Sequence, residues 1–213
     1  MRLLDPGAGK TKRAYDWVYA RSAFDDTLPG VAYGFCRGCG GKYAVAFLGH
    51  WSGTLVRDEF FGYETVVKLH DRKAAGCLAQ ARRKFDELVK DNQSPVASQA
   101  VQRIAWIYRI ECELQSLSAT ERLAVRQSRS KPLWEEMHVW LQLERQRVPN
   151  GSGIAGAINY SLNHWAALTA NLRDGDVLVD NNHAENQMRP GRSAESRGSS
   201  RAVNWPANAP PSS

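Results

Sequence analysis

Gly53-Thr-Leu-Val-Arg-Asp58 is the stretch at which the pattern of the chain changes. Before it, apolar and polar residues alternate in short runs, as they do in strands with one buried face. Ala14 to Arg21 and Val31 to Phe35 are two such runs and predict a β-hairpin, because turn-forming residues separate them. Gly53 to Arg57 predicts a third strand that ends at Asp58, and Lys42 to Leu48 fits one or two helical turns.

After this stretch the apolar residues recur with the period of a helix. Asp71 to Val89 predicts one helix, and Ser94-Pro95 begins the next with a capping serine and a proline in the first turn. Ser118-Ala-Thr-Glu121 has the pattern of a capping box and opens a third helix, which Pro132 is expected to end or kink. Ile154 to Leu172 predicts a further helix, so the chain is α/β with its helices mostly after the strands.

Two carboxylates stand at positions that suit a functional role. Asp58 directly follows a predicted strand, and a carboxylate at that end of a strand points into the crevice where open α/β sheets bind ligands. Glu185 follows Asp180-Asn-Asn182, a strong helix start, and Arg189 lies one helical turn further on, where it can pair with Glu185. By spacing alone, each acid also fits an ordinary solvated surface charge.

The composition favours a globular protein with a polyanionic partner. The 213 residues are 43% hydrophobic, and 28 Lys and Arg against 22 Asp and Glu give a net charge of +6. No apolar run approaches the roughly 20 residues of a membrane span, and the N-terminus lacks the apolar run of a signal peptide. We therefore expect a cytoplasmic protein without a membrane partner. Residues 191–213, rich in Ser, Pro, Gly and Ala, are expected to be disordered.

Two short motifs favour structural over functional interpretations. Gly7-Ala-Gly-Lys-Thr11 contains part of a phosphate-binding loop, but Leu4 stands where the full pattern needs glycine, so a basic turn is the preferred interpretation. Cys36-Arg-Gly-Cys39 has the spacing of half a zinc site, and no second pair with that spacing follows. The cysteines are therefore interpreted as free thiols, and no histidine is assigned a catalytic role.

Several separated segments, in the same order, resemble the transposases of the insertion sequence 66 family. Together they reach from about residue 3 to residue 190. The main segments are Leu4-Asp-Pro-Gly-Ala-Gly-Lys-Thr-Lys-Arg13, Trp17-Val-Tyr-Ala-Arg21, Trp51-Ser-Gly-Thr-Leu-Val-Arg-Asp58, Gly76-Cys-Leu-Ala-Gln-Ala-Arg-Arg-Lys-Phe85, Arg122-Leu-Ala-Val-Arg-Gln127, Asp180-Asn-Asn-His-Ala-Glu185 and Met188-Arg-Pro190.

The resemblance implies a ribonuclease-H-like fold with an Asp-Asp-Glu triad that cleaves and transfers DNA strands. Carried over by position, the second acid falls on Asp58 and the third on Glu185, and both are expected to bind Mg²⁺, of which an intact site holds two ions. DNA, and no small molecule, is the implied substrate, and a homo-oligomer is an open alternative to a monomer. The residues expected to contact DNA are Arg82, Arg83, Lys84 and Arg189.

The resemblance also predicts how the chain is divided. Residues 1–70 are the first part of the ribonuclease-H-like core without its first strand, and residues 71–175 are a mostly helical segment that includes the family insertion. Residues 176–190 form the helix with the third acid, and residues 191–213 form the tail. The predicted fold class is α/β, a partial ribonuclease-H-like mixed sheet with a large all-helical insertion between the second and third acids.

One departure from the family determines the expected activity. In the family, the first Asp of the triad lies just upstream of the Leu-Asp-Pro-Gly segment, and the present sequence has no residue at that position. Asp5 belongs to the segment itself and is not a substitute. Because the first Asp ordinarily bridges both metal ions, we expect a transposase fold with little or no activity. The alternatives are a non-catalytic basic module that binds DNA or another subunit, and a product without function.

Overall fold

The fold consists of short strands, most of them early in the chain, and a long run of helices after them. The computed structural model describes residues 2–4, 11–13, 15–24, 30–36, 38, 40–49, 51–58, 63–68, 72–92 and 94–187. The strands are β1 (Arg2–Leu4), β2 (Thr11–Arg13), β3 (Tyr15–Ala20), β4 (Val31–Cys36), β5 (Gly53–Arg57) and β6 (Arg72–Gly76). The α-helices are α1 (Gly41–Leu48), α2 (Glu64–Val67), α3 (Leu78–Asn92), α4 (Pro95–Glu113), α5 (Ala119–Val125), α6 (Lys131–Arg147), α7 (Gly153–Asn163), α8 (Trp165–Leu168) and α9 (Asn182–Gln187).

The chain divides into two compact units. The helical unit consists of Val56–Asp58 and Ala74–Asn181. The strand unit contains the described residues up to Leu55, those from 63 to Lys73, and α9. The described strands pair as β1–β2, β3–β4 and β5–β6, so the α/β class is confirmed. The single ribonuclease-H-like sheet stays a prediction, as does the division of the chain at residues 71, 176 and 191.

The strand unit is organised around the hairpin that the alternating pattern predicts. Strands β3 and β4 are antiparallel, with Tyr15 opposite Cys36 and Ala20 opposite Val31, which confirms the predicted hairpin. The expected turn residues 25–29 lie outside the described residues. Trp17 points from β3 into a small core and meets Tyr63 edge to face, with ring centroids 5.3 Å apart. The predicted helix at Lys42 to Leu48 is confirmed as α1.

Four helices form the core of the helical unit. Helices α3, α4, α6 and α7 pack in a cycle, each against two others, because each has an apolar face at helical spacing. The largest core side chains are Leu78, Phe85, Ile104, Ile107, Trp134, Met137, Leu141 and Ile158, all at most 1% exposed. Burying a side chain of this kind contributes about 1.5–3 kcal/mol. This apolar cycle is therefore the main source of stability of the unit.

The helix starts agree with the predicted caps. Ser94 Oγ accepts a hydrogen bond from the Ala97 amide at 3.3 Å, and Ser118 and Glu121 form both bonds of a capping box. Pro132 lies in the first turn of α6 and has no N–H group to extend the hydrogen bonds of the preceding turn. A π-helical turn, Arg126–Ser130, lies between α5 and α6, so the predicted interruption of the helix takes this form.

Two predicted helices differ from the structure. Residues 72–76, predicted as helix, form strand β6, because pairing with β5 outweighs the local helix propensity of Ala74 and Ala75. Ile154 to Leu172, predicted as one helix, is divided at His164 into α7, α8 and the 3₁₀ turn Ala170–Leu172. His164 Nδ1 lies 2.7 Å from the Tyr160 carbonyl, which also accepts a hydrogen bond of 3.2 Å from the His164 backbone amide.

None of the helices in the described part of the chain combines the length and the apolar character needed to cross a membrane.

Candidate catalytic acids and the segment that carries them

Asp58 is held in place by the strand that precedes it. It follows β5 directly and is half-buried. Two residues earlier, Val56 packs against a buried cluster of Ala75, Ala170 and Val177. Strand β5 is thus paired with β6 and also packs, through Val56, against Val177.

The Val177–Asn181 segment, which we name the approach segment, leads to the helix that carries Glu185. Val177 and Val179 are buried, the first in the cluster with Val56 and the second in the core of the helical unit. The Val179 carbonyl accepts a hydrogen bond of 3.0 Å from the amide of Leu78, the first residue of α3. That bond satisfies one of the amides that a helix N-terminus leaves without an intrahelical partner.

The last two residues of the approach segment are held by their side chains. Tyr108 donates its hydroxyl proton to Asp180 Oδ2 at 2.7 Å. The Cys77 thiol donates to Asn181 Oδ1 at 2.8 Å, and the Asn181 amide lies 3.5 Å from the same sulfur. Burial raises the pKa of the Cys77 thiol to about 11, and burial together with the Asp180 carboxylate raises the pKa of Tyr108. Both groups therefore keep their protons at neutral pH and act as donors.

The residues before the approach segment are held by two arginines. Arg126 is fully buried and forms a two-point ion pair with Glu111, Nε to Oε1 at 2.9 Å and Nη2 to Oε2 at 2.6 Å. Its Nη1 donates to the carbonyls of Asn171, Asp174 and Gly175 at 3.1–3.3 Å. These bonds fix residues 171–175 against the helical core.

Arg122 completes this support. Its Nε donates to the Gly175 carbonyl at 2.8 Å and its Nη2 to Asp176 at 2.8 Å. Gly175 itself lies against the first turn of α5, so close that an added Cβ would come within 2.0 Å of the Ala119 carbonyl oxygen. Only glycine fits this position without movement of the backbone.

Glu185 belongs to the strand unit, whereas Asp58 belongs to the helical unit. It is half-buried in α9, which lies against β3, and Tyr33 donates its hydroxyl proton to the Gln187 carbonyl at 3.0 Å. The helix begins at Asn182, as the Asp180-Asn-Asn182 pattern predicts. Arg189, the expected partner of Glu185, lies outside the described residues.

The three basic residues of α3 have different surroundings. Arg82 pairs with Asp86 at 3.3 Å, and its guanidinium carbon is 5.9 Å from the ring centroid of Tyr108. Arg83 is exposed and donates to Gln80 Oε1 at 3.3 Å. Lys84 is exposed with its Nζ 4.3 Å from the ring centroid of Tyr160. Of the three, Arg83 and Lys84 are the more accessible to a phosphate.

Comparison with known proteins gives these acids a context. The Transposase IS66 family matches residues 1–194, a stretch that includes both Asp58 and Glu185. The chain belongs to this family. No solved structure matches the chain.

Curated relatives of this IS66-family chain occur in Sinorhizobium fredii (strain NBRC 101917 / NGR234). The uncharacterized protein y4jD is 34% identical over 195 residues, covering 87% of this chain and 38% of the relative. The uncharacterized protein y4hP is 35% identical over 196 residues, covering 84% of this chain and 36% of the relative. The chain thus spans little more than a third of the length of these relatives.

The donor atoms of the two acids suit the metal that the IS66 family implies. Carboxylate oxygens are the ligands that Mg²⁺ prefers. Within the described residues, however, no three or more His, Cys, Asp or Glu side chains form a group that could hold a metal ion. Cys36 is a free thiol, and Cys39, its partner in the half zinc motif, lies outside the described residues. The donor chemistry therefore fits Mg²⁺, while two carboxylates alone are a small ligand set.

The structure places residues around the approach segment that sequence reasoning missed. Tyr108 contacts Asp180 in the approach segment, and Arg126 contacts Asn171 before that segment. The sequence analysis named neither as a site residue. Tyr108 is 72 positions from Asp180, and Cys77 is 104 positions from Asn181. Local periodicity carries no signal for contacts over such distances in the chain.

Proposed function

We propose that this chain supplies Asp58 and Glu185 as the second and third acids of an Asp-Asp-Glu transposase domain with a ribonuclease-H-like fold. The observation that supports the proposal is the family match over residues 1–194, a stretch that includes both acids. The reaction is cleavage and transfer of DNA strands at the ends of an insertion sequence. The carboxylates of Asp58 and Glu185 hold divalent ions through their oxygen atoms.

The chemistry requires more than these two residues. Bound Mg²⁺ supplies charge stabilisation and activation of the attacking water or 3′-hydroxyl group. Two carboxylates that approach one another repel unless cations or protons compensate their charge. Asp58 and Glu185 therefore need the first Asp of the triad for tight metal binding, and the 213 residues alone are expected to cleave little or no DNA.

Strand cleavage on the terminal DNA of the insertion sequence tests the proposal. The chain alone should show little or no cleavage with Mg²⁺ or Mn²⁺. A longer polypeptide translated from further upstream in the same reading frame, with an Asp at the first triad position, should cleave DNA only with metal. Asp58→Asn and Glu185→Gln should each abolish that cleavage, and Glu135→Gln, which changes an exposed acid of α6, should leave it intact. Cleavage that survives Asp58→Asn would refute the assignment.

The basic residues of α3 suggest the second candidate, a non-catalytic module that binds DNA. Arg83 and Lys84 are exposed, and Arg82 reaches the surface beside Asp86. Phosphate contacts by these residues and by Arg189 would make affinity fall steeply with salt. This role does not require Asp58 or Glu185, so it can exist without catalysis.

Binding of a fluorescent DNA duplex at two salt concentrations tests the proposed DNA contacts of α3. Arg83→Ala with Lys84→Ala should weaken binding and reduce its salt dependence, whereas Lys131→Ala, far along the chain on α6, should change neither. Unchanged binding in the α3 variant would refute the DNA contacts. Light scattering of the purified chain decides between a homo-oligomer and a monomer, the two states that the sequence leaves open. A monomer at all concentrations would exclude the homo-oligomer.

A further inference from the structure

Four side chains form a clamp around the end of the approach segment. The clamp consists of Cys77, Tyr108, Asp180 and Asn181, joined as Tyr108 to Asp180 and Cys77 to Asn181. Cys77 is 1% exposed, and burial accounts for the main part of its raised pKa. Two buried or half-buried donors from different parts of the helical unit thus hold two consecutive residues.

The position of the clamp in the chain gives it a role beyond packing. Asn181 is the last residue of the helical unit, and the next residue, Asn182, begins the helix of Glu185. A hydrogen bond at each of two successive side chains restricts the backbone torsions at this junction. Glu185 lies within the first turn of that helix. Order in the backbone of Asp180 and Asn181 therefore limits fraying of this first turn.

We propose that Tyr108 and Cys77 are positioning residues that fix the Asp180-Asn181 backbone from which the helix of Glu185 begins. The inference rests on the proposed function in that Glu185 is taken as a metal ligand. Tyr108 and Cys77 touch neither metal nor DNA in this role. They act through Asp180 and Asn181, as outer residues commonly orient the groups that bind a metal.

Four variants separate the effect of losing a hydrogen bond from the effect of changed packing. Tyr108→Phe removes the hydroxyl and keeps the ring against which Arg82 lies. Cys77→Ala removes the donor to Asn181, whereas Cys77→Ser keeps a donor at nearly the same place. Cys112→Ala is the matched control, because Cys112 is an exposed thiol of the same unit.

Hydrogen–deuterium exchange of the full chain, without metal or DNA, measures how the clamp affects the order of α9. Those amides of residues 182–187 that are protected in the wild type should exchange about five-fold faster in Tyr108→Phe and in Cys77→Ala, the factor that the net free energy of one hydrogen bond gives. Cys77→Ser and Cys112→Ala should exchange like the wild type. Amides of α6 should be unchanged in all four variants. Equal increases in α6 and α9, or no increase in α9, would overturn the proposal.

A second measurement separates the clamp from the metal role of Glu185. Saturating Mn²⁺ should restore wild-type protection of α9 in Tyr108→Phe, because a ligand held by metal no longer depends on the clamp alone. Glu185→Gln should prevent this recovery. Fast exchange that persists at every Mn²⁺ concentration would speak against Glu185 as a metal ligand within these 213 residues, whereas the cleavage assay on the longer polypeptide decides the proposed function; in either case the metal-free exchange tests the clamp by itself. Metal-dependent protection without any effect of Tyr108→Phe would overturn the clamp alone.

Discussion

Replacing Arg126 by methionine should unfold the helical unit at a much lower temperature than the wild type requires. The substitution removes the two-point partner of Glu111, a side chain that is 5% exposed. Of the hydrogen bonds described above, Glu111 keeps the one from Asn171 Nδ2 at 3.2 Å. The carbonyls of Asn171, Asp174 and Gly175 lose the Arg126 donor at the same time.

The expected magnitude follows from the burial of this pair. Removing one partner of a buried ion pair costs about 3–5 kcal/mol, because the other charge stays in the interior without compensation. For a chain of this size that corresponds to a fall in the melting temperature of roughly 6–20 °C. The double variant Arg126→Met with Glu111→Leu should recover a large part of the loss, since two apolar side chains leave no unpaired charge.

A neighbouring ion pair provides a matched control. Arg129 and Glu113 are also joined at two points, at 2.5 and 3.2 Å, between the same two elements, but each side chain is 49% exposed. Water and salt compensate exposed charges, so Arg129→Met should leave the melting temperature nearly unchanged. Thermal unfolding followed by far-ultraviolet circular dichroism measures both variants. Equal shifts for Arg126→Met and Arg129→Met would refute burial as the origin of the effect.

Three further predictions concern single positions in the helical unit. Gly175→Ala should lower the free energy of unfolding in urea by about 1–3 kcal/mol or more, because the added Cβ meets the backbone of Ala119. Gly156→Ala should raise the free energy of unfolding by roughly 0.5–1 kcal/mol, because Gly156 lies inside α7 and the added Cβ meets nothing within 4 Å. Cys77, whose pKa is raised to about 11, should react with iodoacetamide much more slowly than Cys112 at pH 8, and its rate should rise about ten-fold with each unit by which the pH is raised toward 11, as mass spectrometry of native protein can measure; a Cys77 rate independent of pH would contradict this. Ser118→Ala should cost about 1 kcal/mol in the same urea assay by removing the capping box, and an unchanged midpoint would show that the box does not stabilise α5.

Features that depend on near neighbours in the chain could be predicted from the sequence. The hairpin follows from the alternation around Trp17, and the capping box at Ser118 is encoded within four residues. The start of α9 at Asn182 follows from the preceding Asp and Asn residues. In each case the interaction that forms the element lies within a few residues or in the adjacent strand.

Features that depend on distant contacts could not be predicted. Strand β6 contains residues with good helix propensity and is a strand because it pairs with β5. Arg126 is a charged residue for which the sequence favours exposure, yet it is fully buried because Glu111 compensates it. The candidate acids themselves were recognised only through the family motifs, since neither periodicity nor spacing distinguishes Asp58 from a surface carboxylate.

The contact between α9 and β3 has a consequence for the order of events during synthesis. Tyr33 and Gln187, which form its hydrogen bond, are 154 positions apart, and residues 74–181 of the helical unit lie between them in the chain. The ribosome releases the whole helical unit before α9 emerges. Its helices make mostly local contacts and can fold first, which leaves fewer flexible residues to be closed into a loop. The strand unit is therefore completed last, by the same short helix that carries Glu185.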